Sequence, residues 1–140
     1  MGKLKVVSRS SQPFADREEA GHLLTRELDP LRGRDVVVLG IPRGGIIAAR
    51  ELAQALEGHL DVILSHKLRT PGRPEVAMGA VAEGGIAFVD PEIVRLLGIS
   101  VNQIEEEKAF QTDQLNRWAE QIRRIRPKVP LKGHTVVITD

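Results

Sequence analysis

Asp35-Val-Val-Val-Leu-Gly-Ile-Pro-Arg-Gly-Gly45 is the stretch that decides the fold. Its first half, to Gly40, is a run of β-branched and leucine side chains with no polar face, the pattern of a strand covered on both sides in a parallel sheet. Its second half is rich in glycine and leads into a helical segment from about Gly45 to Leu56. Leu60 to Leu64 repeats the buried-strand pattern. Strand, tight turn, helix and strand therefore follow one another at the spacing of a right-handed crossover, which places the chain in the α/β class.

Upstream, Asp16 and Glu19 form a capping-box pattern ahead of Ala20, Leu23, Leu24 and Leu28, which predicts a helix over 16–28. Downstream, His66-Lys-Leu-Arg-Thr-Pro-Gly-Arg-Pro-Glu75 carries cations, prolines and a glycine without a period, and reads as a long loop. Ala77 to Ala82 and Ile86 to Val89 flank Glu83-Gly84-Gly85 as a hairpin. Asp90-Pro91 opens a short helix that Gly98 ends. Ser100 to about Ile125 is a long helix with Val101, Ile104, Leu115, Trp118, Ile122 and Ile125 on one stripe, interrupted by Lys108 and Gln111. Its glutamates lie toward the start and its arginines at the end, as the helix dipole favours. Thr135 to Thr139 reads as another buried strand, followed by Asp140. The whole is expected to be a three-layer α/β/α arrangement with a mostly parallel sheet, in one domain over 1–140.

Composition narrows the function. The chain has 140 residues, the size of one domain. Twenty Lys+Arg against 19 Asp+Glu leave a net charge of +1, which provides no global field for nucleic acid, so any anion site must be local. No apolar run is long enough to span a bilayer, and neither a signal peptide nor a myristoylation motif is expected at the start. The absence of cysteine removes disulfides, thiolate zinc sites and cysteine nucleophiles and fits a reducing compartment. A cytoplasmic protein with neither nucleic-acid nor membrane partners is expected.

Three places could carry chemistry. In Gly40-Ile-Pro-Arg-Gly-Gly45 the glycines let backbone N–H groups converge on an anion at a helix N-terminus, and Arg43 can add a bidentate phosphate contact. The stretch matches neither Gly-x-Gly-x-x-Gly nor a Walker A loop, and spacing alone leaves an ordinary strand-to-helix turn equally open. Lys67, Arg69 and Arg73 form a cationic segment that follows a strand of the same sheet, where it could cover a charged substrate. Asp140 is a carboxylate at a strand end, where ligands of α/β sheets collect. His22, His59, His66 and His134 show no metal-ligand spacing and read as structural or surface residues, with His66 nearest the candidate site. No metal site of the protein's own is expected. Trp118 reads as core, and the long helix as packing on its own domain rather than as a coiled coil.

Together, Gly40 to Gly45, Lys67 to Glu75 running into Ala77-Met-Gly-Ala-Val-Ala-Glu-Gly-Gly85, and Val136-Val-Ile-Thr-Asp140 resemble the type I phosphoribosyltransferase family, in its bacterial "predicted phosphoribosyltransferase" branch. The resemblance implies a glycosyltransferase of nucleotide metabolism that moves a phosphoribosyl group from phosphoribosyl pyrophosphate to a nitrogen acceptor, a nucleobase, with release of pyrophosphate. It makes Arg43, Gly44 and Gly45 the pyrophosphate loop, and Lys67 and Arg69 the catalytic cations on a flap. Asp140 becomes the first of two acids that grip the ribose hydroxyls. Magnesium (Mg2+) is implied as an ion borne by the substrate. The family's second acid, its 5-phosphate loop and the elements after it do not follow Asp140. Helix-terminus interactions of ~0.3–1 kcal/mol each fall short of the ~8 kcal/mol of micromolar binding. This 140-residue chain is therefore expected to bind the full substrate poorly and to turn it over negligibly. In the family the last strand lies beside the first, so its outer edge is expected to pair in a homo-oligomer. A non-catalytic module sensing nucleotides or phosphosugars is the alternative on the same fold.

Overall fold

A computed structural model describes Gly2 to Asp140, and the chain divides into two compact units, 1–62 with 128–140, and 63–127. The first unit is built on α1 (Arg17–Leu28), β1 (Val36–Gly40), α2 (Gly44–Ala55), β2 (His59–Val62) and, last in the chain, β6 (Thr135–Thr139). Its three strands form one parallel sheet in the order β2-β1-β6. Central β1 is buried along its whole length, as its unbroken apolar run predicts. Val36 and Val38 pack with Ala49, Leu52, Ala53 and Leu56 of α2 and its C-terminus, and α1 lies on α2 through Gly21, where a Cβ would meet Glu51 Cβ at 3.1 Å. Asp16 caps α1 by accepting from Glu19 N at 2.8 Å.

The expected strand over 60–64 is shifted to 59–62 and is an edge strand, half exposed where the sequence suggested burial on both faces. β6 pairs with β1 in parallel, Val36 opposite Thr135 and Gly40 opposite Thr139. It too is an edge strand: Val137 packs on the core, but Val136 and Ile138 are exposed. Its β-branched residues reflect pairing with β1 on one side, not burial on two faces. The buried Asp61 carboxylate accepts from Val62 N at 2.7 Å and from Val129 N at 2.9 Å, which fixes the segment that leads into β6.

The second unit contains β3 (Ser65–Thr70), β4 (Arg73–Ala82), β5 (Ala87–Val89), α3 (Pro91–Leu97) and α4 (Val101–Ile125). Its sheet is antiparallel, in the order β3-β4-β5. The long loop expected over 66–75 is instead the β3–β4 hairpin, turning at Pro71-Gly72 with Gly72 at φ +72°. Alternation explains the difference: Leu68 and Thr70 are buried while Lys67 and Arg69 point to solvent, so the cations occupy the outer face of a strand. The second hairpin turns at Gly84 and Gly85, both at positive φ, as the sequence suggests. Asp90 caps α3 and Gly98 ends it in the left-handed conformation. Ser100 and Gln103 form a capping box on α4, which lies against β3 and β4. Only the middle of the expected stripe packs: Leu115 is buried, whereas Val101 and Ile125 are exposed. The bidentate pair Arg123–Glu83, at 2.8 and 2.7 Å, ties α4 to the β4–β5 turn.

Candidate functional site

In the first unit the turn between β1 and α2 delivers Arg43, Gly44 and Gly45 to the carboxyl end of the parallel sheet. The end of β6 arrives at the same place. Ile41 N donates to Thr139 O at 2.8 Å, and Thr139 Oγ1 donates to Gly45 O at 2.7 Å. A Cβ on Gly45 would stand 2.5 Å from Thr139 O and 2.8 Å from Asp140 Cα, so only glycine permits this approach. The structure thus brings Arg43, Gly44, Gly45 and Asp140 together, as the strand-end argument requires. The peptide bond between Pro42 and Arg43 is cis.

One neighbour was missed by sequence reasoning. A Cβ on Gly44 would lie 2.5 Å from Arg17 Nε, so the Arg17 side chain crosses the first residue of α2. Arg17 opens α1, and nothing in its local sequence separates it from an ordinary first-turn arginine. Neither Arg17 nor Arg43 has an ion-pair partner among the described residues. Two unneutralised guanidiniums therefore flank the start of α2, whose free N–H groups and dipole favour an anion.

In the second unit Lys67 and Arg69 lie on the edge strand β3, beside a depression of about 750 Å³. Ser65, His66, Glu75, Phe110, Gln111 and Gln114 also line it. Neither cation has an ion-pair partner among the described residues. Behind them runs a chain of bonds that sequence reasoning also missed. Glu107 Oε1 accepts from Arg69 N at 2.9 Å and from Gln111 Nε2 at 2.9 Å. Gln111 Oε1 lies 3.2 Å from His66 Nδ1, and the His66 ring stacks on Trp118 with centroids 5.8 Å apart. Gln111 is only 5% exposed, and its interruption of the apolar stripe of α4 was the available signal. Trp118 is half-buried, serving as the platform for His66 rather than as deep core. Among the described residues no group of three His, Asp or Glu could hold a metal ion.

No family model matches the chain. Two proteins from separate strains of Mycobacterium tuberculosis, Rv0571c and MT0597, each named "Putative phosphoribosyl transferase", are similar to it. Each is 40% identical over 127 residues, 91% of this chain and 29% of the relative. The crystal structure of TT1426 from Thermus thermophilus is similar with a TM-score of 0.77 and 46% identity, over 92% of this chain and 61% of that one. The chain spans less than a third of the length of the curated relatives it matches. Over nine-tenths of its own length, the chain is thus similar in sequence to part of two proteins named as phosphoribosyl transferases, and in sequence and fold to TT1426.

Proposed function

We propose that the chain handles phosphoribosyl pyrophosphate for transfer of its phosphoribosyl group to a nitrogen acceptor of the nucleobase class. In that reaction the bond between C1′ and the pyrophosphate oxygen breaks. Pyrophosphate leaves with the electron pair, a bond from the acceptor nitrogen to C1′ forms, and the nitrogen gives up its proton. The observation that carries the reading is the meeting of the Arg43–Gly45 turn with Asp140 at the ends of two adjacent parallel strands.

The N–H groups at the start of α2 take the pyrophosphate, with Arg43 and Arg17 adding charge-assisted bonds. Asp140 accepts from the ribose hydroxyls. The family resemblance gives Lys67 and Arg69, on the outer face of β3, the role of cations for charge that grows on the departing pyrophosphate, where fixed cations stabilise the transition state more than the ground state. Magnesium arrives on the substrate. The donor set beside the turn, one carboxylate, suits contact with an ion already carried by pyrophosphate. No helix among the described residues is long and apolar enough to cross a membrane, and the reading places the reaction in the cytoplasm.

Calorimetry with inorganic pyrophosphate and magnesium tests the donor site. Saturable binding that weakens at least about tenfold in Arg43→Ala is expected from the loss of a charged hydrogen-bonded contact. Phosphoribosyl pyrophosphate itself should bind this chain more weakly than micromolar. Transfer is then read as pyrophosphate release with a panel of bases. Nucleotide binding that pyrophosphate does not compete with, and that Arg43→Ala leaves intact, would replace the enzyme by a sensing module.

A further inference from the structure

Thr139 grips both ends of the turn that separates β1 from α2. It stands opposite Gly40, at the last step of the parallel ladder. Its backbone oxygen takes the Ile41 N–H at 2.8 Å, where the turn begins, and its hydroxyl donates to Gly45 O at 2.7 Å, where α2 has begun. Thr139 is 7% exposed, so water scarcely competes for either bond. The opposite side is closed as well: a Cβ on Gly40 would stand 3.0 Å from Gly45 O and 2.8 Å from Ile46 Cα. The Gly45 carbonyl is thus wedged between the ends of β1 and β6.

Between the two bonds lie Pro42, Arg43 and Gly44. Proline has no N–H, and neither Gly44 N nor Gly45 N has a hydrogen-bond partner among the described residues. Ile46 N reaches Arg43 O at 3.3 Å. Two successive glycines have wide conformational freedom, and a ligand that had to order them would bind more weakly for it. Among the described residues, the Thr139 hydroxyl is the one side-chain group that bonds to the main chain of 41–45.

We infer that Thr139 is a positioning residue of the donor site: its hydroxyl pins Gly45 through the carbonyl, so that the free N–H groups of Gly44 and Gly45 are set in place before an anion arrives. The inference rests on the pyrophosphate reading of this turn. The hydroxyl is spent on Gly45 O and acts on the ligand only through the loop. Asp140 follows directly in the chain, so the residue that orders the anion loop also fixes where the neighbouring carboxylate begins.

Thr139→Val and Thr139→Ser, made in the full 140-residue chain and titrated with inorganic pyrophosphate and magnesium by calorimetry, separate this role from a purely structural one. Thr139→Val keeps the branched shape that suits a strand and removes the donor; Thr139→Ser keeps the donor and loses a methyl group. Affinity should fall about three- to tenfold in Thr139→Val, the equivalent of one net hydrogen bond, and should stay within about twofold in Thr139→Ser. Should Thr139→Val fail to fold, as judged by circular dichroism, Thr139→Ala against Thr139→Ser carries the same comparison. Proton NMR of the unsubstituted chain checks the bond without any substitution: the Thr139 hydroxyl proton should be visible and slow to exchange with water. Equal affinity with and without the hydroxyl, an equal loss in Thr139→Ser, or a hydroxyl proton in free exchange would each overturn the inference and leave the pyrophosphate reading standing. A failure of the unsubstituted chain to bind pyrophosphate would instead end that reading and the positioning role with it.

Discussion

Replacing Gly45 by alanine should damage the first unit at the place where the proposed donor site is assembled. The added Cβ would sit 2.5 Å from Thr139 O and 2.8 Å from Asp140 Cα, whereas ordinary contact begins at 3.4 Å, so the end of β6 must retreat by up to 0.9 Å. Both obstacles are backbone, which cannot swing aside. Overpacking of this kind costs about 1–3 kcal/mol. The retreat also stretches the bond from Ile41 N to Thr139 O and the bond from Thr139 Oγ1 to Gly45 O, each worth about 0.5–1.5 kcal/mol. A loss of about 2–4 kcal/mol follows. With a urea slope of ~1–2 kcal/mol per molar, the unfolding midpoint followed by far-UV circular dichroism should fall by roughly 2 M. Hydrogen exchange at the Ile41 amide provides the local reading and should accelerate beyond the global change. Gly44→Ala is the matched control. Its Cβ meets only the far end of the Arg17 side chain, which can move, and alanine is favoured over glycine in a helix by ~1 kcal/mol. That variant should be neutral or slightly more stable. If Gly45→Ala lies within about 0.5 kcal/mol of wild type and Ile41 stays protected, the close approach of α2 to β6 is refuted, and the proposed donor site loses its geometry.

Arg17→Ala should weaken pyrophosphate binding by about tenfold while leaving the urea midpoint unchanged, because the side chain is exposed and makes no ion pair; equal affinity would remove Arg17 from the site. Arg123→Ala breaks a bidentate, mostly buried pair with Glu83 and should destabilise the second unit by about 1.5–3 kcal/mol, followed through the fluorescence of Trp118, the sole tryptophan; a change below about 0.5 kcal/mol would show the pair to be a surface ornament. The outer edge of β6 should pair with a second copy, so light scattering should report concentration-dependent association that Ile138→Lys, at a 60% exposed position, suppresses; a monomer at millimolar concentration in the unsubstituted chain would refute it.

The parallel unit was readable from the sequence because each of its signals is local. The apolar run before Gly40, the glycines after it and the Asp16 cap all lie within a turn or two of what they determine. The charged hairpin was not. His66 to Thr70 alternates inward and outward as a strand should, but with Lys and Arg outside and a proline and glycine following, the same letters suit a loop. Only pairing with β4 decides between the two. The site shows the same division. Arg43, Gly44 and Gly45 could be picked out from their position between strand and helix. Their contact with Asp140 depends on β6 returning beside β1, and Gly45 and Thr139 are 94 residues apart in sequence. Arg17 beside Gly44, and Gln111 between Glu107 and His66, are products of helix packing and leave no local trace beyond a polar residue on an apolar stripe.

The Asp61 carboxylate accepts from the amide next to it, Val62 N, and from Val129 N, 68 residues further along, at the two points where the chain leaves the parallel unit and comes back to it. A single buried side chain thus closes the gap across which everything from Ile63 to Pro127 is carried. Such a seam makes the intervening stretch an exchangeable cassette. A short splice across it should leave the β2-β1-β6 scaffold able to form.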